Sequence, residues 1–285
     1  MSYYTDQSSY NSYSSTGNLA WNIFSVALGW VSLYLFLYFA VQGGTFASVN
    51  PILLYWIPAS VMAIFSGLVG QNLENFLFTT VTGVKITLKD VGKGVLYGLP
   101  IGTAVVLGMF ALGPVLSSIT GLNITGLRVS ASVDPVPLFI TNLFGIVPTT
   151  DILQSLINLI TSYVFWLMLV VAASEEFLVY MTFKPFESLF LKDLRISLII
   201  AIVLATLMAG IFWGLAHAPA YSLEGVPVVM GIISAILIGT VFFRILSQII
   251  FGYMNLSFMA SAHFAYDYVL ATVIVSLSFI PLSWI

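Results

Sequence analysis

A few short stretches of this chain hold side chains that can do chemistry. Glu175 and Glu176 stand side by side in VVAASEEFLVYM, His217 closes FWGLAHAP, Arg244 follows a pair of phenylalanines, and His263 and Asp267 lie in SAHFAYDYV. The protein has 2 histidines, and both are in this set. His263 and Asp267, spaced i and i+4, share one helix face and can converge on one ligand. Glu175 and Glu176 point about 100° apart on a helix, so one faces a given centre while the other binds a structural partner or opposes it. The reaction most naturally written with these parts is activation of water. A carboxylate takes the water proton, an imidazole orients the water, and a second imidazole with a hydrogen-bonding neighbour stabilises a developing oxyanion. Peptide hydrolysis uses all of these roles. The same nitrogen and oxygen atoms suit a zinc site, which leaves metal-assisted hydrolysis open, although no HExxH helix is present. No metal and no cofactor is assigned.

These groups lie in or beside apolar runs. Of 285 residues, 60% are hydrophobic and 7% charged, with a mean hydropathy of +1.06, well outside the range of a soluble domain. An ionisable side chain in such surroundings is costly unless it is neutral, partnered or wet, which makes each one a functional candidate. The 8 Lys plus Arg form no basic patch, so nucleic acid is excluded as a main partner. The absence of Cys removes disulfides, thiolate nucleophiles and Cys-ligated metals. The expected partners are the lipid bilayer and a membrane-associated peptide or protein substrate.

The elements that must position the candidates read as an all-α, polytopic integral membrane bundle of about seven to eight transmembrane helices. Residues 1–20 form a polar tail rich in Ser, Tyr and Asn, expected to be disordered, and residues 21–285 a single transmembrane helical domain. Spans are expected near 21–41, 51–70, 94–117, 153–183, 196–216, 226–243 and 256–280. The piece 137–147 is too short to cross alone and adds a further span only with its neighbours. Residues 71–93 read as a short strand or surface helix, and the polar patch 184–195 as the end of the fourth span, with a helix break at Pro185. Lys85, Lys89 and Lys93 in one loop and Lys184, Lys192 and Arg195 in another mark the cytoplasmic side, which puts the amino terminus inside. Gly94, Gly98 and Gly102 permit close helix packing.

The ordered motifs resemble those of the CAAX-protease and bacteriocin-processing family (CPBP or Abi family), glutamic intramembrane proteases. EExxxR looks like the run from Glu175 to Tyr180, FxxxH like Trp213 to His217, and HxxxN or HxxxD like His263 to Asp267. The resemblance covers roughly residues 150–280, the family-like catalytic core. It implies Glu175 as general base, Glu176 as its accessory, His217 holding the water, and His263 with Asp267 on the oxyanion side. Two positions depart from the pattern. Tyr180 replaces the motif arginine, removing a cation that would balance the glutamates, with Lys184 one turn on as a possible substitute. Trp213 replaces phenylalanine in an aromatic packing role. Arg244 is similar to an arginine found before the last histidine in relatives; its plain reading is a snorkelling end of the sixth span, and the alternative is that it supports the glutamates. The expected activity is intramembrane endopeptidase. The alternatives are a catalytically inactive relative that binds a membrane partner as an immunity or scaffold protein, which Tyr180 favours, and a proton-coupled carrier.

Overall fold

In hydrocarbon a backbone must satisfy its own hydrogen bonds, so a chain this rich in Leu, Ile, Val and Phe folds into helices. The computed structural model describes residues 19–44, 56–62, 73–120, 153–154, 157, 161, 163–221, 229 and 239–277. Among them run α1 (Leu19–Gln42), α2 (Leu73–Phe78), α3 (Leu88–Thr120), α4 (Tyr163–Ser188), α5 (Leu198–Ala216), α6 (Ala218–Tyr221), α7 (Leu246–Phe251) and α8 (Leu256–Leu277). Two π-helical turns, Leu189–Asp193 and Gly239–Ile245, extend α4 and lead into α7. Between α2 and α3, an isolated bridge joins Thr79 to Lys85 around a turn in which Gly83 takes φ +82°. The protein is an all-α, multi-pass integral membrane protein.

The expectation of seven to eight spans is corrected. Among the described residues 4 helices are long and apolar enough to cross, at Ala20–Gln42, Leu88–Gly108, Phe165–Asp193 and Leu198–Ala216. The expected span at 51–70 is described only over 56–62, which is helical. Of the expected 226–243 span only 229 and 239–243 are described, and the apolar helical piece Phe242–Phe251 lies at its end. The last run forms a 22-residue helix, α8, which is not among the 4. The expectations for 1–18 and 137–147 lie outside the described residues.

Two boundaries also move. Lys89, Asp90 and Lys93 are in α3 and not in a loop, because Thr87 caps the helix. The Thr87 amide and hydroxyl donate to Asp90 Oδ2 at 2.9 and 2.7 Å, and the Asp90 amide donates back to Thr87 Oγ1 at 3.3 Å. The patch 184–195 does not end the fourth span at residue 183. Pro185 sits inside α4, which runs on to Ser188 and then widens into the π-helical turn.

The bundle is built around α4 and α8. The core contains Leu33 and Leu37 of α1, Leu178 and Phe183 of α4, Ala205 and Ala209 of α5, and Phe258 and Met259 of α8, all buried. The α1 helix is tied to α4 by Trp30 Nε1–H, which donates to Thr182 Oγ1 at 2.7 Å. Along α3 the glycines expected to permit close approach do so. A Cβ on Gly98 would lie 2.1 Å from Ser261 Oγ, and one on Gly102 would lie 2.0 Å from the backbone oxygen of Ala262. That contact seats α8 directly on α3 and fixes the height of His263, one residue further on.

Substitution of Gly102 by Val is expected to lower stability by about 3 kcal/mol, since the Ala262 carbonyl cannot move without shifting the whole helix. Gly92→Ala, in the same helix, where a Cβ would meet nothing within 4 Å, is expected to raise stability by up to about 1 kcal/mol, alanine being the better helix former. Thermal unfolding of the two variants in one detergent checks the contrast.

Candidate functional site

Each candidate side chain is brought in by a different element. Glu175 and Glu176 project from the middle of α4, His217 caps the C-terminus of α5, Arg244 ends the second π-helical turn, and His263 and Asp267 stand one turn apart on α8. The sequence places these elements far apart, and the fold joins them. Glu175, Glu176, His217, Arg244, His263 and Asp267 are all buried, with Glu176 and Arg244 at 0% exposure.

Glu175 lies between the two imidazoles. Its Oε1 is 3.6 Å from His217 Nε2 and its Oε2 is 3.4 Å from His263 Nε2. Both separations exceed a normal N–H to O hydrogen bond. The protonation of His217 follows from its other nitrogen: Nδ1–H donates to the Trp213 carbonyl at 2.7 Å, and a carbonyl can only accept. In neutral His217, Nε2 therefore turns a lone pair towards Glu175.

Glu176 is held differently. Its Oε1 accepts from His263 Nδ1–H at 3.1 Å and from Arg244 Nη2–H at 3.3 Å. His263 thus spans both glutamates, one through each ring nitrogen, and its Nε2 also lies 3.7 Å from Asp267 Oδ1. The imidazole planes have aromatic walls: Trp213 is 4.7 Å from the His217 ring, and Phe243 stacks on His263 at 5.5 Å and 24°. Trp213 also lies 5.5 Å from the Arg244 guanidinium carbon, so this one residue orients His217 through its carbonyl and carries Arg244 on its ring.

The sequence-predicted residues divide into two groups. Glu175, Glu176, Trp213, His217, Arg244, His263 and Asp267 come together. Tyr180 and Lys184 belong elsewhere. Lys184 is eight residues beyond Glu176, about 12 Å along the helix. Its Nζ donates to the carbonyls of Phe76 and, at 2.8 Å, Thr79, and lies over the rings of Phe76 and Tyr180 at 4.5 and 4.7 Å. Tyr180 packs edge-on against Phe76. Both residues line a separate cavity with Thr80, Thr82 and Glu187. Lys184 is therefore a clamp between α4 and the segment after α2. The cation on Glu176 is Arg244, and it is buried, which corrects its reading as a snorkelling residue at the end of a span in favour of the alternative that it supports the glutamates. Sequence reasoning missed Phe243, whose only signal is its place next to Arg244. It also missed the Trp213 carbonyl, since a main-chain acceptor leaves no mark in residue type.

Among the described residues, no group of three or more His, Asp or Glu has the arrangement to hold a metal ion. No family model, curated protein or solved structure matches this chain.

Removing one member of a buried charge pair leaves the other unpaired. Arg244→Met is expected to cost roughly 3–5 kcal/mol of stability, with Glu176→Gln/Arg244→Met recovering most of it. Denaturation of the single and double variants in one detergent measures the pair. Equal losses in both would show that Arg244 acts through packing alone.

Proposed function

We propose that this chain is an intramembrane endopeptidase that hydrolyses membrane-proximal peptide bonds, a relative of the glutamic proteases that its motifs resemble. The observation that carries this reading is the seat of Glu175 between two imidazoles, 3.6 Å from His217 Nε2 and 3.4 Å from His263 Nε2. A water there donates one proton towards Glu175 and the other towards His217 Nε2. As its oxygen bonds to the peptide carbon, Glu175 takes the first proton and the carbonyl electrons move to oxygen. The His263 imidazolium, donating from Nδ1 to Glu176, turns its Nε2–H to that oxyanion. Collapse of the tetrahedral centre breaks the C–N bond, and Glu175 returns its proton to the leaving nitrogen. Asp267 orients His263, and Glu176 with Arg244 fixes the ring from its other side.

The binding-only alternative rests on Tyr180 standing where the motif has arginine. The Arg244 guanidinium on Glu176 meets that need from another helix, which favours the hydrolytic reading. The substrate class is a membrane-associated peptide or protein. The Lys184 contacts with Phe76 and Thr79 bring the two basic segments, 85–93 and 184–195, to one end of the bundle, which supports a shared cytoplasmic face and an amino terminus inside.

Incubation of the purified protein with membrane-peptide libraries, read by mass spectrometry, is expected to yield defined cleavages. Glu175→Gln should slow them by about a thousand-fold while leaving the folded protein intact. Undiminished cleavage by that variant removes Glu175 from the chemistry. Proton-driven substrate flux in sealed vesicles without peptide-bond loss would point to a carrier instead.

A further inference from the structure

Arg244 reaches Glu176 from a π-helical turn, and the residue at the start of that turn is Gly239. The i to i+5 repeat of a π-helix brings Arg244 back over Gly239. In an α-helix the same two residues would be about 140° apart around the axis. A Cβ built on Gly239 would lie 2.8 Å from Arg244 Nη1, 3.4 Å from Cζ and 3.5 Å from Nη2. All three near atoms belong to the guanidinium, and Nη2 is the atom that donates to Glu176 Oε1. The space that a side chain would fill is thus occupied by the arginine head.

We infer that Gly239 is a positioning residue, whose missing side chain gives the Arg244 guanidinium the room to lie flat on the π-helical turn and reach Glu176. The atoms a Cβ would strike are the free end of a flexible chain, so the backbone can stay while the guanidinium gives way. What is lost is the registration of Arg244 on Glu176, and through Glu176 that of His263 Nδ1. The role differs from that of Gly98 and Gly102, where a Cβ would meet the backbone of a neighbouring helix. The consequence for catalysis rests on the peptidase reading; the contact itself does not.

The test is Gly239→Ala in the parent and in a Glu176→Gln/Arg244→Met background, followed by thermal unfolding in detergent. Alanine is the better helix former, so the change should raise Tm by about 2 °C wherever the guanidinium is absent. In the parent the clash reverses the sign, with an expected fall of about 4 °C. If the parent variant does not fold while the background variant does, the inference also holds. A shift of the same sign in both, or failure of both to fold, overturns it. In the cleavage assay Gly239→Ala is expected to lower kcat about tenfold with KM within about twofold, and Gly239→Ala/Arg244→Lys to recover part of the loss because the slimmer head fits beside the methyl. A parent that cleaves nothing refutes the peptidase reading and leaves the two Tm shifts to decide on Gly239.

Discussion

Inside an apolar bundle a carboxylate with no exposed surface stays charged only if donors are fixed on it, and Glu176 is such a group. Its donors come from two other elements, the guanidinium of Arg244 and the Nδ1–H of His263. Meeting that one requirement ties α4 to the second π-helical turn and to α8. It also sets the His263 ring so that Nε2 is turned to Glu175. The pair of adjacent glutamates is therefore divided in task. One is held through Oε1 by two fixed donors, and the other lies between two imidazoles at 3.6 and 3.4 Å.

The remaining architecture keeps those elements in register. The glycine face of α3 lets α8 approach until Ser261 Oγ lies 3.3 Å from the Gly94 carbonyl, which fixes the height at which His263 and Asp267 enter. The end of α5 turns at His217, and Trp213 one turn earlier supplies the carbonyl that sets its tautomer. Gln248 of α7 donates to Thr206 Oγ1 of α5 at 2.8 Å, which locks the helix after the π-helical turn to the one that carries Trp213. At the far end of α4, Lys184 spends its charge on main-chain carbonyls of Phe76 and Thr79 and holds the segment before α3 against the bundle.

Much of the site was legible in the sequence because ionisable residues are so scarce in apolar runs that each stands out. Glu175, Glu176, His217, Arg244, His263 and Asp267 were all visible in this way, and the i, i+4 spacing gave the one local pairing. What spacing cannot give is which cation serves which carboxylate. Lys184 was near in sequence, yet the rise of a helix carries it two turns away, while Arg244 arrives from a separate helix through a π-helical turn that no residue pattern announces. The number of spans was misjudged for a related reason. Apolar length was counted as crossing length, whereas among the described residues 4 helices are long and apolar enough to cross. Pro185 likewise read as a break, although α4 continues past it.

The central claim is that Glu175 delivers water to a peptide carbon as a base and forms no bond to it. Single-turnover cleavage in water enriched in oxygen-18, with mass spectrometry of both product and enzyme, tests this directly. The expected result is one heavy oxygen on the newly formed carboxyl terminus and none in the fragment bearing Glu175. Heavy oxygen in the Glu175 carboxylate would mean that an acyl-enzyme had formed and been hydrolysed there, which would contradict the role of this residue as a general base.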